Sequence, residues 1–274
     1  NYKNFELGGR LGLHFQSLYL VVAALILERR VWRKTYGLSV VRGLAVLWLL
    51  FGVIFLSSRI PLILVPVFLV ARFAELAWNQ PQYRSTIVRF ATAVVLIMGA
   101  FVAVLPGPRG RLVDLRNELR SIDGEVDGKQ TNHRVFLWKY GTEIAMANPI
   151  IGVGNGAGED LLNEKLKQCD ATFYRKKEPY YLYEFRYDFH NIWLQSWAEG
   201  GIVAVAILVL MLGWGMYHGS GALRYVWVLV ALSGTTESLL DKQAGALLIT
   251  FLVGLTALSL QTKKERKELA TGED

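Results

Sequence analysis

The chain has little of what most soluble folds and metal sites are built from. Its 274 residues include one cysteine, four histidines and seven prolines, and only 19% are charged. The single Cys169 excludes an intrachain disulfide framework and reads as a lone structural thiol. His14, His133, His190 and His218 stand apart, with no paired His or Cys at ligand spacing, so the expectation is that no transition metal and no cofactor are used. Internal repeats are absent, and the one low-complexity tract is the polar tail 262–274. A basic signal region ahead of the first apolar run is also missing, and the chain opens on Asn1. That is the expected look of a C-terminal portion of a longer protein.

Apolar residues fill the space these absences leave. They make up 53% of the sequence, with a mean hydropathy of +0.30, more apolar surface than a soluble domain of this size can hide. Runs near 11–28, 41–56, 60–78, 86–105, 200–217, 222–233 and 243–260 approach the roughly 17 to 25 residues of a spanning helix, 222–233 being the shortest. The expected fold is all-α: a polytopic membrane helix bundle of about seven spans. Residues 1–105 would hold spans one to four, 106–190 one long loop with short amphipathic helices, 191–261 spans five to seven, and 262–274 a tail.

The net charge of +7 could suggest nucleic acid, but its location argues otherwise. The 106–190 insert carries 13 basic and 13 acidic residues, which leaves 17 basic against 10 acidic for the rest of the chain. That excess gathers as Arg29, Arg30, Arg33, Lys34 and Arg42, then Arg84 and Arg89, then Arg224, then Lys263, Lys264, Arg266 and Lys267. Alternating spans place all four clusters on one side, which the positive-inside rule makes cytoplasmic. The other side then receives residues 1–10, the 57–60 turn, the insert and the 233–242 turn. Trp32, Tyr36, Trp78, Tyr83 and Tyr217 fall at the resulting interfaces, as aromatic belts do.

Within the insert, HRVFLWKYGTEIAMAN predicts a helix with Thr131 or Asn132 as its N-cap. Leu137, Tyr140 and Ile144 share one of its faces, and Arg134 and Trp138 lie one turn apart on another. It should stop at Asn148-Pro149, before a glycine-rich turn, Gly152 to Gly158, and a second helix at about 159–168. The turn could cradle phosphate through free N–H groups, but it follows a helix and lacks the P-loop Lys-Ser/Thr, so cap and turn is the preferred reading. The Tyr- and Lys-rich stretch that follows, up to Phe189-His190-Asn191, offers aromatic faces for sugar or for interfacial packing. Arg72 and Glu75, one turn apart, are expected to pair.

The chemically suggestive groups converge on the non-cytoplasmic side: Arg10 and His14, Ser57-Ser58-Arg59, Arg134, His190, and Glu237 with Asp241. Arginines at membrane depth call for an anionic partner, and a phosphate-bearing lipid head group suits a planar guanidinium. Bland alternatives stand beside each: a snorkelling Arg59, an Arg134 paired with a carboxylate of the insert, a His190 packed at a helix N-terminus, a structural His14.

In this order and spacing the residues resemble the O-antigen ligase and O-antigen polymerase superfamily of bacterial membrane glycosyltransferases. The resemblance rests on Arg10 to His14, Ser58-Arg59, Arg134-x3-Trp138 through Asn148-Pro149 to Gly152-Val-Gly154, His190-Asn191 with Glu199-Gly200-Gly201, and Glu237 to Gln243-x-Gly245. Phe15-Gln16 and Ile60-Pro61 depart from it. It implies metal-independent glycan transfer, in the bacterial inner membrane, from an undecaprenyl-diphosphate carrier to an acceptor hydroxyl on the periplasmic face. The acceptor would be lipid A-core or a growing glycan. Arg59, Arg134 and Arg10 would hold the diphosphate, and His190, with Glu237 as rival, would serve as base. His14, Trp138 and Asn191 would support them. A transporter of lipid-linked glycan is the alternative, but it predicts ionisable groups at the midplane and inner face; a structural or sensory subunit leaves their clustering as coincidence.

The topology is testable directly. A cysteine placed at Asp127 should be labelled by an impermeant maleimide from outside, and one at Thr262 only after permeabilisation. Labelling of both from outside would overturn the scheme.

Overall fold

The structure is a computed structural model and describes residues 13–31, 36–56, 59–121, 133–169, 172–175, 178–184, 186–219 and 221–271. Arg10, Ser57, Ser58, Thr131 and Asn132 lie outside the described residues, as do the side chains of His14 and Arg59.

The described chain is helical apart from one two-stranded ribbon. Its helices are α1 (Leu13–Val31), α2 (Tyr36–Leu56), α3 (Arg59–Asn79), α4 (Arg84–Val104), α5 (Pro106–Ser121), α6 (His133–Ala147), α7 (Ala157–Gln168), α8 (Ile192–His218), α9 (Ala222–Ser233) and α10 (Gln243–Thr271). Among the described residues three segments are long and apolar enough to cross a membrane: Pro81–Val104, Ile192–His218 and Gln243–Glu265. Phe15–Ala24, Leu44–Val53 and Ala222–Ser233 are shorter apolar helices. Proline sets one boundary. Leu105, at φ −77° and ψ 126°, is extended as a residue before proline should be, and Pro106 opens α5 where its missing N–H costs nothing.

The ribbon corrects one detail of an insert expected to be helical. Thr172–Arg175 (β1) pairs antiparallel with Glu178–Tyr181 (β2), with Thr172 opposite Tyr181 and Arg175 opposite Glu178. Thr, Phe and Tyr at these positions favour a pleated strand over a helix.

The molecule comprises two compact units. The first contains residues 1–112, 214–230 and 247–274. Several polar groups among its apolar helices are partnered. Trp227 is fully buried and donates from Nε1 to Oγ1 of Thr256 (3.0 Å), whose hydroxyl in turn donates to the Leu252 carbonyl (2.8 Å). Arg72 and Glu75 form the expected pair at 2.9 Å, and the Tyr225 hydroxyl donates to the same carboxylate oxygen at 3.1 Å. Unpartnered, the neutral indole and hydroxyl groups would each cost about 2–7 kcal/mol in an apolar surround.

The second unit, residues 113–213 and 231–246, has its own core. The α6 face predicted from the sequence is buried: Leu137, Tyr140 and Ile144 meet Leu162 and Leu166 of α7, together with Leu182, Phe189, Leu194 and Ala198. Glu159 and Asp160 in the first turn of α7, and Lys165 and Lys167 in its last, match the helix dipole at both ends.

Helix α8 breaks at Gly201, where φ is 64° and ψ −164°. The glycine-rich turn docks onto that break. Val153 N–H donates to the Ala198 carbonyl, Gly154 N–H to the Glu199 carbonyl (both 2.9 Å), and Ile202 N–H to the Pro149 carbonyl (2.9 Å). Gly156 N–H donates to Oε1 of Glu199 at 3.1 Å. These amides are therefore committed to the protein, and the turn caps and docks instead of cradling phosphate. Only glycine fits the closest approaches, since a Cβ on Gly152 would lie 2.3 Å from the Glu199 carbonyl and one on Gly201 2.0 Å from the Ile150 oxygen.

Candidate functional site

The second unit brings three segments together: the start of α6, the strap 186–191, and the turn 234–242. The strap is tied down at each step. Asn163 on α7 bonds both backbone groups of Tyr187, donating to its carbonyl (2.9 Å) and accepting its N–H (3.0 Å). Phe189 is fully buried, and its ring lies against the bare Cα of Gly141 on α6. Asn191 caps α8, its Oδ1 accepting the N–H groups of Trp193 (2.9 Å) and Leu194 (3.1 Å). Two backbone donations join the end of the strap and the start of α8 to the turn, Ile192 N–H to the Gly234 carbonyl (2.8 Å) and Asn191 N–H to the Ser238 hydroxyl (3.3 Å).

Between these ties sits His190, with φ at +47°, in the left-handed region that a non-glycine residue enters at a cost of order 1–3 kcal/mol. Asp188 holds it there. One carboxylate oxygen, Oδ1, accepts the His190 N–H at 2.8 Å and lies 2.7 Å from the ring Nδ1; the other, Oδ2, accepts from Lys242 Nζ at 2.6 Å. The approach to Nδ1 is short and bent off the ideal hydrogen-bond line. His133 and Tyr187 both stand edge-on to the imidazole, at 5.9 and 6.2 Å between centroids.

Burial by itself would push the Asp188 carboxyl up. The His190 hydrogen bond and charge, joined by the Lys242 ammonium, outweigh it and hold the group well below the carboxylate range. Burial would likewise lower Lys242, but its bond to Asp188 and the neighbouring Asp241 raise it instead. Glu237 is raised by burial, against the opposing charges of His190 and Arg134. Its Oε1 lies 3.8 Å from Arg134, an ion pair too long for a two-point hydrogen bond.

Of the residues singled out from the sequence, Arg134, His190, Asn191 and Glu237 thus belong to one region. Trp138 is one turn on from Arg134, packed on the core with a buried indole N–H that has no hydrogen-bond partner. Arg59 is the first residue of α3, and His14 lies in the first turn of α1, both in the other unit.

Sequence reasoning missed Asp188, Lys242 and Glu159. Asp188 had a local signal, an aspartate two residues ahead of the histidine, which is the spacing at which a carboxylate accepts a backbone N–H. Lys242 and Glu159 had none, being 54 and 29 positions from Asp188. Oxygens of Glu159, Asp188 and Asp241 lie within 4.8 Å of one another, a donor set a cation could use. Lys242 already supplies a positive charge there, 3.4 Å from Asp241 as well as against Asp188.

A family model described as O-antigen ligase matches residues 44–209, more than half of the chain. The chain belongs to the O-antigen ligase family. No curated protein and no solved structure matches it. Membership makes this O-antigen ligase family protein a glycosyltransferase-like membrane protein of the ligase or polymerase type, in a family of inner-membrane proteins. The matched segment includes α6, the glycine-rich turn, the strap and the break in α8, and stops before Glu237 and Lys242.

Glu159 provides a measurable consequence of the carboxylate cluster. Burial first, then the charge and hydrogen bond of Asp241, push it up from 4.5 to about 7. Burial beside the Asp241 charge favours the protonated form of Glu159. Below about 4.5 the folded and unfolded chains both hold this proton, so the group is neutral in its effect; as pH climbs to about 7 the unfolded chain gives it up first and folding loses stability. Glu159→Gln should therefore raise the thermal midpoint relative to wild type at pH 8, with the gap closing near pH 4.5. A gap independent of pH would refute the raised proton affinity of Glu159.

Proposed function

We propose that this protein transfers a glycan from an undecaprenyl-diphosphate carrier to an acceptor hydroxyl at the periplasmic face of the bacterial inner membrane. The bundle would have about seven spans, with the 106–190 insert outside. The observation that carries the reading is the meeting of Arg134, Glu237 and His190, residues more than a hundred positions apart at their extremes, within one unit of a family member.

The chemistry suits these groups. Attack on the anomeric carbon expels a lipid diphosphate, whose departure is eased by fixed cations that neutralise its growing charge. Arg134 serves that role together with Arg59 and Arg10, and metal is not required by the step. Glu237 acts as the resting counter-ion of Arg134, giving way to the diphosphate when donor binds. The acceptor hydroxyl must lose its proton as the new bond forms, and His190 takes it. Lipid A-core as acceptor makes the reaction a ligation; the growing glycan as acceptor makes it a polymerisation.

Two sets of variants test this. Lysine keeps the charge of arginine but loses the planar fork, so Arg59→Lys and Arg134→Lys should each cost about tenfold or more in turnover with expression and membrane insertion intact. Near-wild-type turnover in both would remove the diphosphate clamp.

The second set separates the bases. His190→Ala should abolish transfer from an undecaprenyl-diphosphate-linked glycan while still binding undecaprenyl diphosphate, and Glu237→Gln should keep measurable activity. A dead Glu237→Gln beside an active His190→Ala would move the base role to Glu237. Loss of undecaprenyl diphosphate binding in His190→Ala would place His190 among the diphosphate ligands.

A further inference from the structure

We propose that Asp188 is a positioning residue for His190: its buried carboxylate, anchored by Lys242, keeps the imidazole proton on Nδ1 and leaves Nε2 as the proton acceptor. The inference rests on the reading of His190 as base.

The short distance favours one tautomer, although the approach is bent away from a straight hydrogen bond. Nδ1 is shielded from solvent and lies 2.7 Å from Oδ1 of Asp188. A bare nitrogen lone pair at that distance from a carboxylate oxygen would be repelled, whereas an N–H is attracted, so the proton belongs on Nδ1. Nε2 has no hydrogen-bond partner among the described residues, while the ring is 26% exposed. The accessible nitrogen is thus the one with a free lone pair.

The same carboxylate also fixes where the ring stands. Oδ1 takes the backbone N–H of His190, which closes the tight turn and stabilises its left-handed φ of +47°. Oδ2 is taken by Lys242 at 2.6 Å. The Asp188 side chain is only 5% exposed, and a carboxylate removed from water to this extent would protonate without compensating charge. Lys242, from the opposite turn, supplies that compensation and stops the carboxylate from swinging away. With both oxygens engaged, Asp188 is committed to orienting the ring.

In the transfer step the acceptor oxygen bonds to the anomeric carbon as the carbon–oxygen bond to the diphosphate breaks, its electron pair leaving with the diphosphate. The acceptor's proton passes to Nε2. The imidazolium so formed keeps its other proton on Nδ1, facing an Asp188 that stays ionised, and afterwards releases the Nε2 proton to water.

The test is a tautomer measurement on the full chain with 15N-labelled histidine, at a pH where the imidazoles are neutral, with the His190 signals assigned by their absence in His190→Ala. Wild type should show the Nδ1–H form. Asp188→Asn should shift it to the Nε2–H form or a mixture, and turnover should fall by about a hundredfold or more with the donor KM within about twofold. Lys242→Met, which leaves the carboxylate in place, should keep the Nδ1–H form and lose less activity; a merely structural role would disturb both variants alike. The Nε2–H form in wild type would overturn the inference whether or not the variants fold, as would an Asp188→Asn protein with the Nδ1–H form and full turnover. Wild-type turnover in His190→Ala would instead overturn the base assignment beneath it, in a separate measurement.

Discussion

A broken helix leaves carbonyls without their intrahelical partners, and the second unit is organised around the way α8 resolves this at Gly201. The carbonyls of Ala198 and Glu199 are taken by the amides of Val153 and Gly154, and the Ile202 amide is returned to Pro149. Once these bonds form, the turn between α6 and α7 can lie in only one place, because its glycine at 152 has backbone at the distance where any side chain would intrude. With the turn located, α6 and α7 close their apolar faces over Phe189, and the strap that carries Asp188 and His190 is drawn against them. The conformation of the site is therefore a consequence of backbone hydrogen bonding some ten residues along α8 from the histidine.

The charged groups at that site are balanced locally. Asp188 meets an imidazole and an ammonium, Glu237 meets a guanidinium, and burial with the neighbouring Asp241 favours the protonated form of Glu159. Such an arrangement is expensive to assemble from the unfolded chain, since each ion gives up water before it gains a partner. At 3.8 Å the Arg134–Glu237 pair is too long for the two-point hydrogen bonds a guanidinium can make.

Much of this was legible in the residues alone. Apolar content, the α6 face of Leu137, Tyr140 and Ile144, the stop at Asn148-Pro149 and the Arg72–Glu75 pair follow from composition, periodicity and local sterics, which act over a few residues at most. The motifs from Arg10 to Gly245, taken in their order and spacing, pointed to the family that the match over residues 44–209 shows. The ribbon at 172–181 went unread because a short aromatic stretch carries no period long enough to separate strand from interfacial packing.

What the sequence determined by itself was a membrane protein of helices, the family to which it belongs, and the identity of His190, Arg134 and Glu237 as the groups worth watching. Tertiary structure alone decided who their partners are. Asp188 stands two residues from His190, but its second oxygen is bound by a lysine 54 positions on, and Arg134 meets a carboxylate 103 positions on. No periodicity spans such separations. The path of the backbone through the Gly201 break and the 234–242 turn sets them, and ion pairing, unlike helix formation, depends on distance through space and is indifferent to distance along the chain.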